Sequence, residues 1–156
     1  MMRFTTPNRE LLNSRQVKEI KKHLKEQFGF SRELPQAWFR VKDDRLYIVS
    51  RDLEKIDLQG LRVEVIGMYF GEWKGNDIRL SIEAAQLIGP HATKNVIELS
   101  EEEMYAWLRG EDLKKAMKEK NFVLLKHDSD FLGCGLAKEG AILNFVPKSR
   151  RVAQPH

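Results

Sequence analysis

The sequence predicts an α+β fold, and three observations carry that prediction. Segments of helical and of strand periodicity follow one another in the order helix, strands, helices, strands. The stretch Phe122–Arg151 holds three short apolar runs, Phe122–Leu125, Phe131–Leu136 and Ala141–Val146, separated by Asp128-Ser129-Asp130 and Lys138-Glu139-Gly140. Such punctuation marks a small antiparallel sheet. The length, 156 residues of which 42% are hydrophobic, suits one ordinary domain or two small ones packed together. About 68–70% of the extended-chain surface can then be buried.

The first helix is expected from Ser14, as its cap, to Phe28, with Gly29 as the stop. Val17, Ile20, Leu24 and Phe28 recur at spacings of three and four and form one apolar stripe. Arg15, Lys18, Lys21, Lys22 and Lys25 point elsewhere, onto either a solvated or an RNA-facing surface. His23 sits among them with no second ligand at metal spacing. Ala37–Lys42 and Arg45–Ser50 alternate apolar and polar residues around Asp43-Asp44, the signal of a hairpin. Residues 52–60 read as a turn or short helix. A strand over 61–73 comes next, with a bulge expected at Gly67, and Ile78–Leu80 returns as a short strand.

Ser81 caps a helix that Gly89-Pro90 ends, and Asn95–Leu99 is a short strand. Ser100-Glu101-Glu102-Glu103 is a capping box, in which hydroxyl and carboxylate each satisfy a free backbone N–H. Its helix closes at Arg109-Gly110. Asp112 is expected to start a further helical turn or two that buries Leu113, Ala116 and Met117.

Composition excludes several classes of protein. No run approaches the ~18 apolar residues of a membrane span, and Met1–Pro7 lacks the apolar core of a secretory signal. Cys134 is the single cysteine, which fits a reducing cytoplasm and rules out a cysteine-cluster zinc site. Net charge is +4, but it is segregated: residues 1–51 carry 12 basic against 6 acidic side chains, 52–112 carry 6 against 13, and 113–156 carry 9 against 4. Two basic blocks around an acidic middle suit either polyanion contact through the ends or a charge-rich surface of the kind heat-loving organisms favour.

No catalytic constellation stands out. Neither phosphate-cradling glycine motif is present, and Gly133-Cys134-Gly135 is too short to be one. Cys134 alternates with Leu132 and Leu136, as a buried and inert thiol would. His127 with Asp128 and Asp130 is explained by turn chemistry, and Glu101–Glu103 by the helix start. Binding features are better represented. Lys148, Arg150 and Arg151 can neutralise phosphates, and Asn144 can donate and accept at a base edge or a backbone. Gly110 is either a helix cap or a point of close approach. Trp38, Phe39, Trp73 and Phe145 are either core or stacking surfaces for unpaired bases.

Four stretches carry a family resemblance. They are Tyr105-Ala-Trp-Leu-Arg-Gly-Glu-Asp-Leu113, Phe122-Val-Leu-Leu-Lys126, Leu132-Gly-Cys-Gly135 and Leu143-Asn-Phe-Val-Pro-Lys-Ser-Arg-Arg151. Together they resemble the PUA-like RNA-binding domain at the C-terminus of ribosomal RNA cytosine-5 methyltransferases of the Fmu/Sun and nucleolar-protein type. Arg109, Gly110 and Glu111 fall on that pattern's helix end; Asn144, Pro147, Lys148 and Arg151 fall on its ending. Arg79 and the helix after it resemble the segment that precedes the pattern. The resemblance is strong over 76–151 and weak before 60.

It implies a small N-terminal α/β, pre-PUA-like part over residues 1–75. A PUA-like mixed β-barrel with short helices would complete the chain over 76–156. The family's methyltransferase domain, with its S-adenosylmethionine loops and Pro-Cys motif, has no counterpart in this sequence. The expectation is therefore a cytoplasmic RNA-binding protein with no cofactor, no metal and no catalysis of its own. It would act on rRNA or tRNA in ribosome biogenesis or RNA modification, with a methyltransferase or another assembly factor as a candidate partner. Its expected RNA-binding residues are Arg79, Arg109, Gly110, Asn144, Lys148, Arg150 and Arg151. The alternatives are a component of an RNA cytosine-5 methyltransferase system and a protein-interaction adaptor that uses the acidic middle.

Overall fold

The computed structural model describes residues 9–34, 36–41, 44–50, 67–75 and 77–153. They form two five-stranded sheets and three α-helices, as an α+β reading requires. No helix among them is long and apolar enough to cross a membrane.

Helix α1 (Ser14–Phe28) is capped one residue earlier than expected, by Asn13. The Asn13 side chain accepts the Gln16 N–H at 2.9 Å, and the Gln16 side chain accepts the Asn13 N–H at 3.0 Å. Asn13 wins over Ser14 because a glutamine stands three residues after it, which completes a reciprocal box. Gly29 ends the helix at φ 65, the left-handed conformation that a residue without Cβ adopts freely. Ile20, Leu24 and Phe28 are fully buried. His23 is buried with them beside Trp73, ring centroids 6.0 Å apart, and so does not share the lysine face.

The first sheet runs β1 (Arg9–Leu11), β2 (Gln36–Val41), β3 (Arg45–Ser50), β4 (Met68–Lys74), β5 (Asp77–Leu80), all antiparallel. The bulge lies between β3 and β4, where Leu46 faces Gly71 and Tyr47 faces Tyr69. Gly71, not Gly67, makes it possible: at φ 153 a Cβ there would overlap the Arg79 carbonyl oxygen. The expectations for residues 52–60 and for the start of the strand at 61–66 lie outside the described residues. The division at 75/76 falls in the turn between β4 and β5, which pair across it from Gly71 to Leu80.

Helix α2 (Ile82–Ile88) starts at Ser81, whose hydroxyl accepts the Ala84 N–H and donates to the Tyr69 carbonyl. One 3-10 turn at Gly89–His91 ends it. Next come β6 (Val96–Glu98) and α3 (Glu101–Leu108), the latter with the expected Ser100/Glu103 box. The helical turn expected after Asp112 is instead a strand, β7 (Leu113–Lys114). Leu113 is buried opposite Ile142, and the Asp112 carboxylate caps no helix because it accepts the Asn144 N–H at 2.8 Å. Strands β8 (Asn121–His127), β9 (Asp130–Lys138) and β10 (Ala141–Leu143) supply the anticipated antiparallel trio.

The second sheet has the order β6-β8-β9-β10-β7, with β6 parallel to β8. The closed barrel expected for this half is not formed among the described residues. Edge strands β6 and β7 are three and two residues long, and each pairs with one neighbour. Strands that short cannot bridge the gap between the two edges.

Among the described residues, two of three apolar clusters involve the second sheet. One unites α1, the first sheet and α2 with Leu124, Phe131 and Cys134 of the second sheet. The other lies on the opposite face of that sheet, where Trp107 packs with Val123, Leu125, Ile142 and Val146. Strand β8 is therefore buried on both faces. Polar contacts reinforce the junction. The Gln27 amide pairs with both backbone groups of Ile78, at 2.7 and 3.0 Å, and Asn95 donates to the Gln27 carbonyl.

Candidate nucleic-acid interface

After β10 the chain cannot continue as a strand because Asn144 turns it. The Asn144 side-chain amide donates to the carbonyls of Trp107 and Glu111, both at 2.9 Å, and its carbonyl accepts the Val146 N–H at 2.8 Å. The residue expected to read a base edge thus spends its side chain on positioning the tail against the end of α3. Pro147 comes next, and Lys148–Arg150 form a 3-10 turn.

The tail then returns to the helix. The Val152 N–H donates to the Leu108 carbonyl at 2.8 Å, and the Arg151 Nε donates to the Val146 carbonyl at 3.1 Å. The Arg151 guanidinium lies directly over Gly110, whose φ of 91 and missing Cβ leave room for it. The Arg109 Nε is paired with Glu111 at 2.6 Å. Lys148 is exposed and makes no ion pair among the described residues. The tail therefore meets the end of α3 through Arg151 at Gly110 and Val152 at Leu108. A guanidinium has five donors, so Arg109 and Arg151 each keep most of theirs for a further acceptor. The C-terminal end of α3 also favours cations.

Arg150 and Arg79 face a different place. Arg150 pairs with Glu83 at the start of α2. Arg79, on β5, bonds Glu72 at 2.7 Å and stacks on the Phe145 ring, with its guanidinium carbon 4.4 Å from the centroid. Both line a cleft of about 260 Å³ between the two sheets, with Tyr69, Ser81, Trp107, Gly133, Phe145 and Pro147 among its walls. Sequence reasoning singled out Arg79, Arg150 and Phe145 but not Tyr69 or Trp107 as site residues. Their convergence depends on the packing of β5 and α2 against the second sheet, which no local pattern encodes. Of the other candidate stacking residues, Trp38, Phe39 and Trp73 are core.

The groups with chemical potential elsewhere are accounted for by structure. Cys134 is buried, and that burial pushes its thiol up to about 12. The His127 Nδ1 meets the Leu99 carbonyl at 2.8 Å, and this bond is the main cause of the ring's raised pKa. Glu98, His127 and Asp128 bring ligand atoms within 4.8 Å of one another at the surface. The Asp128 N–H already bonds Glu98 there, which explains the cluster as a turn between β8 and β9.

Residues 94–152 thus form a small mixed sheet whose basic tail folds back onto a helix end, a module with a cationic rim. They match the family model described as the Methyltransferase RsmF PUA domain. The segment is thus similar to a PUA domain of the rRNA cytosine-5 methyltransferase family, a likeness that points to RNA as the ligand. No curated protein matches the chain.

Proposed function

We propose that the protein binds rRNA or tRNA in the cytoplasm, in ribosome biogenesis or RNA modification, and contributes no catalytic step of its own. RNA contact is assigned to the part after residue 75, braced by the part before it. The observation that carries the reading is the return of the tail onto α3. It seats Arg151 on Gly110, the neighbour of Arg109 in the chain, while Lys148 stays exposed, and this supports the reading. Phosphate contacts by such residues give binding that falls steeply with salt.

The test is filter binding of a structured RNA to the full chain across a salt series. Lys148→Ala and Arg151→Ala should each weaken binding and reduce the log–log salt slope by roughly 1. Unchanged affinity and slope in the double variant would reject the assignment. A second reading, as a component of an RNA methyltransferase system, draws on the family match. Methyl transfer from labelled S-adenosylmethionine to RNA by the purified chain would replace the non-catalytic proposal with it.

A further inference from the structure

The cleft between the sheets differs in kind from the cationic rim. Its walls are apolar side chains of α2 and of the segment after β10, while its polar groups are mainly donors. The Trp107 Nε1–H is buried and has no hydrogen-bond partner among the described residues. An indole nitrogen can only donate, and a buried donor left unpaired is costly, so this group calls for an acceptor. Trp38 and Trp73 have unpartnered indoles too, but they lie in the core of the first sheet; Trp107 is the one of the three that lines the cleft. Gly133 lines the cleft beside this group, where a Cβ would come into van der Waals contact with the Trp107 Nε1 at 3.8 Å.

Tyr69 shares the cleft wall with Arg79, and burial raises the pKa of its phenol. A phenolic O–H is a hydrogen-bond donor. The Arg79 guanidinium stands over the Phe145 ring, and both side chains line the cleft. At about 260 Å³ the space is below the roughly 300–1,000 Å³ of a drug-sized pocket. It suits one flat ring that bears acceptors. A phosphate fits less well, since its charge would lie among apolar side chains and next to the Glu83 carboxylate. The Pro147–Arg150 segment is both a wall of this cleft and the start of the basic tail, so a strand tracking the tail passes its mouth.

We infer that the cleft between the two sheets takes a single unpaired nucleobase of the bound RNA, held by the Trp107 indole N–H, the Tyr69 hydroxyl and the Arg79–Phe145 stack. The inference rests on the RNA-binding reading and adds to it a second, base-contacting site.

The experiment uses the ¹⁵N-labelled full chain and a pool of single-stranded RNA decamers of random sequence, with an abasic ribose-phosphate decamer as the control. The Trp107 indole signal, assigned with Trp107→Phe, should shift on adding the base-bearing decamers, while the Trp38 and Trp73 signals stay in place as internal references. The abasic decamer should leave all three unmoved and bind about 5- to 150-fold more weakly, the range of one base-stacking contact. Tyr69→Phe, which keeps the ring and so the packing, should bring the base-bearing affinity toward the abasic value and leave the salt slope alone. If the decamers bind and the Trp107 signal does not move, the base site is wrong while RNA binding stands. If they do not bind at all, both readings fall.

Discussion

At Gly110 one missing Cβ does two things. It allows φ 91, and it lets Arg151 lie across the end of α3. Gly110→Ala should therefore cost about 1–3 kcal/mol of stability through backbone strain and also push Arg151 aside. Gly140, at φ 76 with nothing within 4 Å of its would-be Cβ, separates the two effects. Gly140→Ala should lower the urea midpoint by a similar amount and leave RNA affinity unchanged, whereas Gly110→Ala should lower both. Asn144 allows a comparable distinction. A base reader changed to Ala loses affinity with its stability intact. The Asn144 clamp loses three hydrogen bonds, one to a buried strand exit and two to the end of α3. Asn144→Ala should then cost roughly 2 kcal/mol or more, at 0.5–1.5 kcal/mol for each bond, read as a drop in the denaturation midpoint without ligand.

Among the elements, α3 joins the sheet to the rim, and its start is sensitive to acid. The Ser100 backbone N–H, then Lys115 at 3.0 and 3.1 Å, hold the Glu103 carboxyl below its usual 4.5. A carboxylate depressed by folding stabilises above its unfolded pKa, and that stabilisation is lost as pH falls through the folded value. Thermal midpoints from pH 7 down to 3 should therefore fall more for the wild type than for Glu103→Gln, which keeps a capping residue but has no charge to lose. Parallel profiles would mean that the carboxylate contributes nothing to the acid limb. The capping box and Gly29 were legible in the sequence because a cap is a contact within four residues. The three strands after Phe122 were legible because loop residues mark their ends. The strand after Asp112 was not. Its spacing suits a helix, but pairing with β10 and a bond to Asn144, 32 residues on, decide for a strand. The cleft was hidden for the same reason: Arg150 and Glu83 meet across 67 residues, and Tyr69 and Trp107 come from opposite sides of the molecule's junction.

The whole molecule is held by a core that ignores the expected division at 75/76. Leu124, Phe131 and Cys134 of the second sheet pack with Trp38, Phe70 and Ile78 of the first, and α2 lies between them with Ala84, Ala85 and Ile88 fully buried. The end of α2 is so close to β9 that a Cβ on Gly89 would overlap the Phe131 ring. Cutting the chain to the segment that matches the PUA family model, residues 94–152, would uncover that face of β8 and β9. An exposed apolar face of this kind drives association. Residues 94–156 alone should therefore bind a hydrophobic dye and self-associate, while the full chain does neither. The full chain should unfold in one step, because Leu124, Phe131 and Cys134 of the second half complete the core of the first. Tryptophan fluorescence, with Trp38 and Trp73 in one core and Trp107 in the other, should track the same urea transition as backbone circular dichroism. Two separated transitions, or a monomeric and dye-free C-terminal fragment, would show that the second sheet stands without the first. The first sheet's share in the cleft would then rest on docking between two independent units rather than on one shared core.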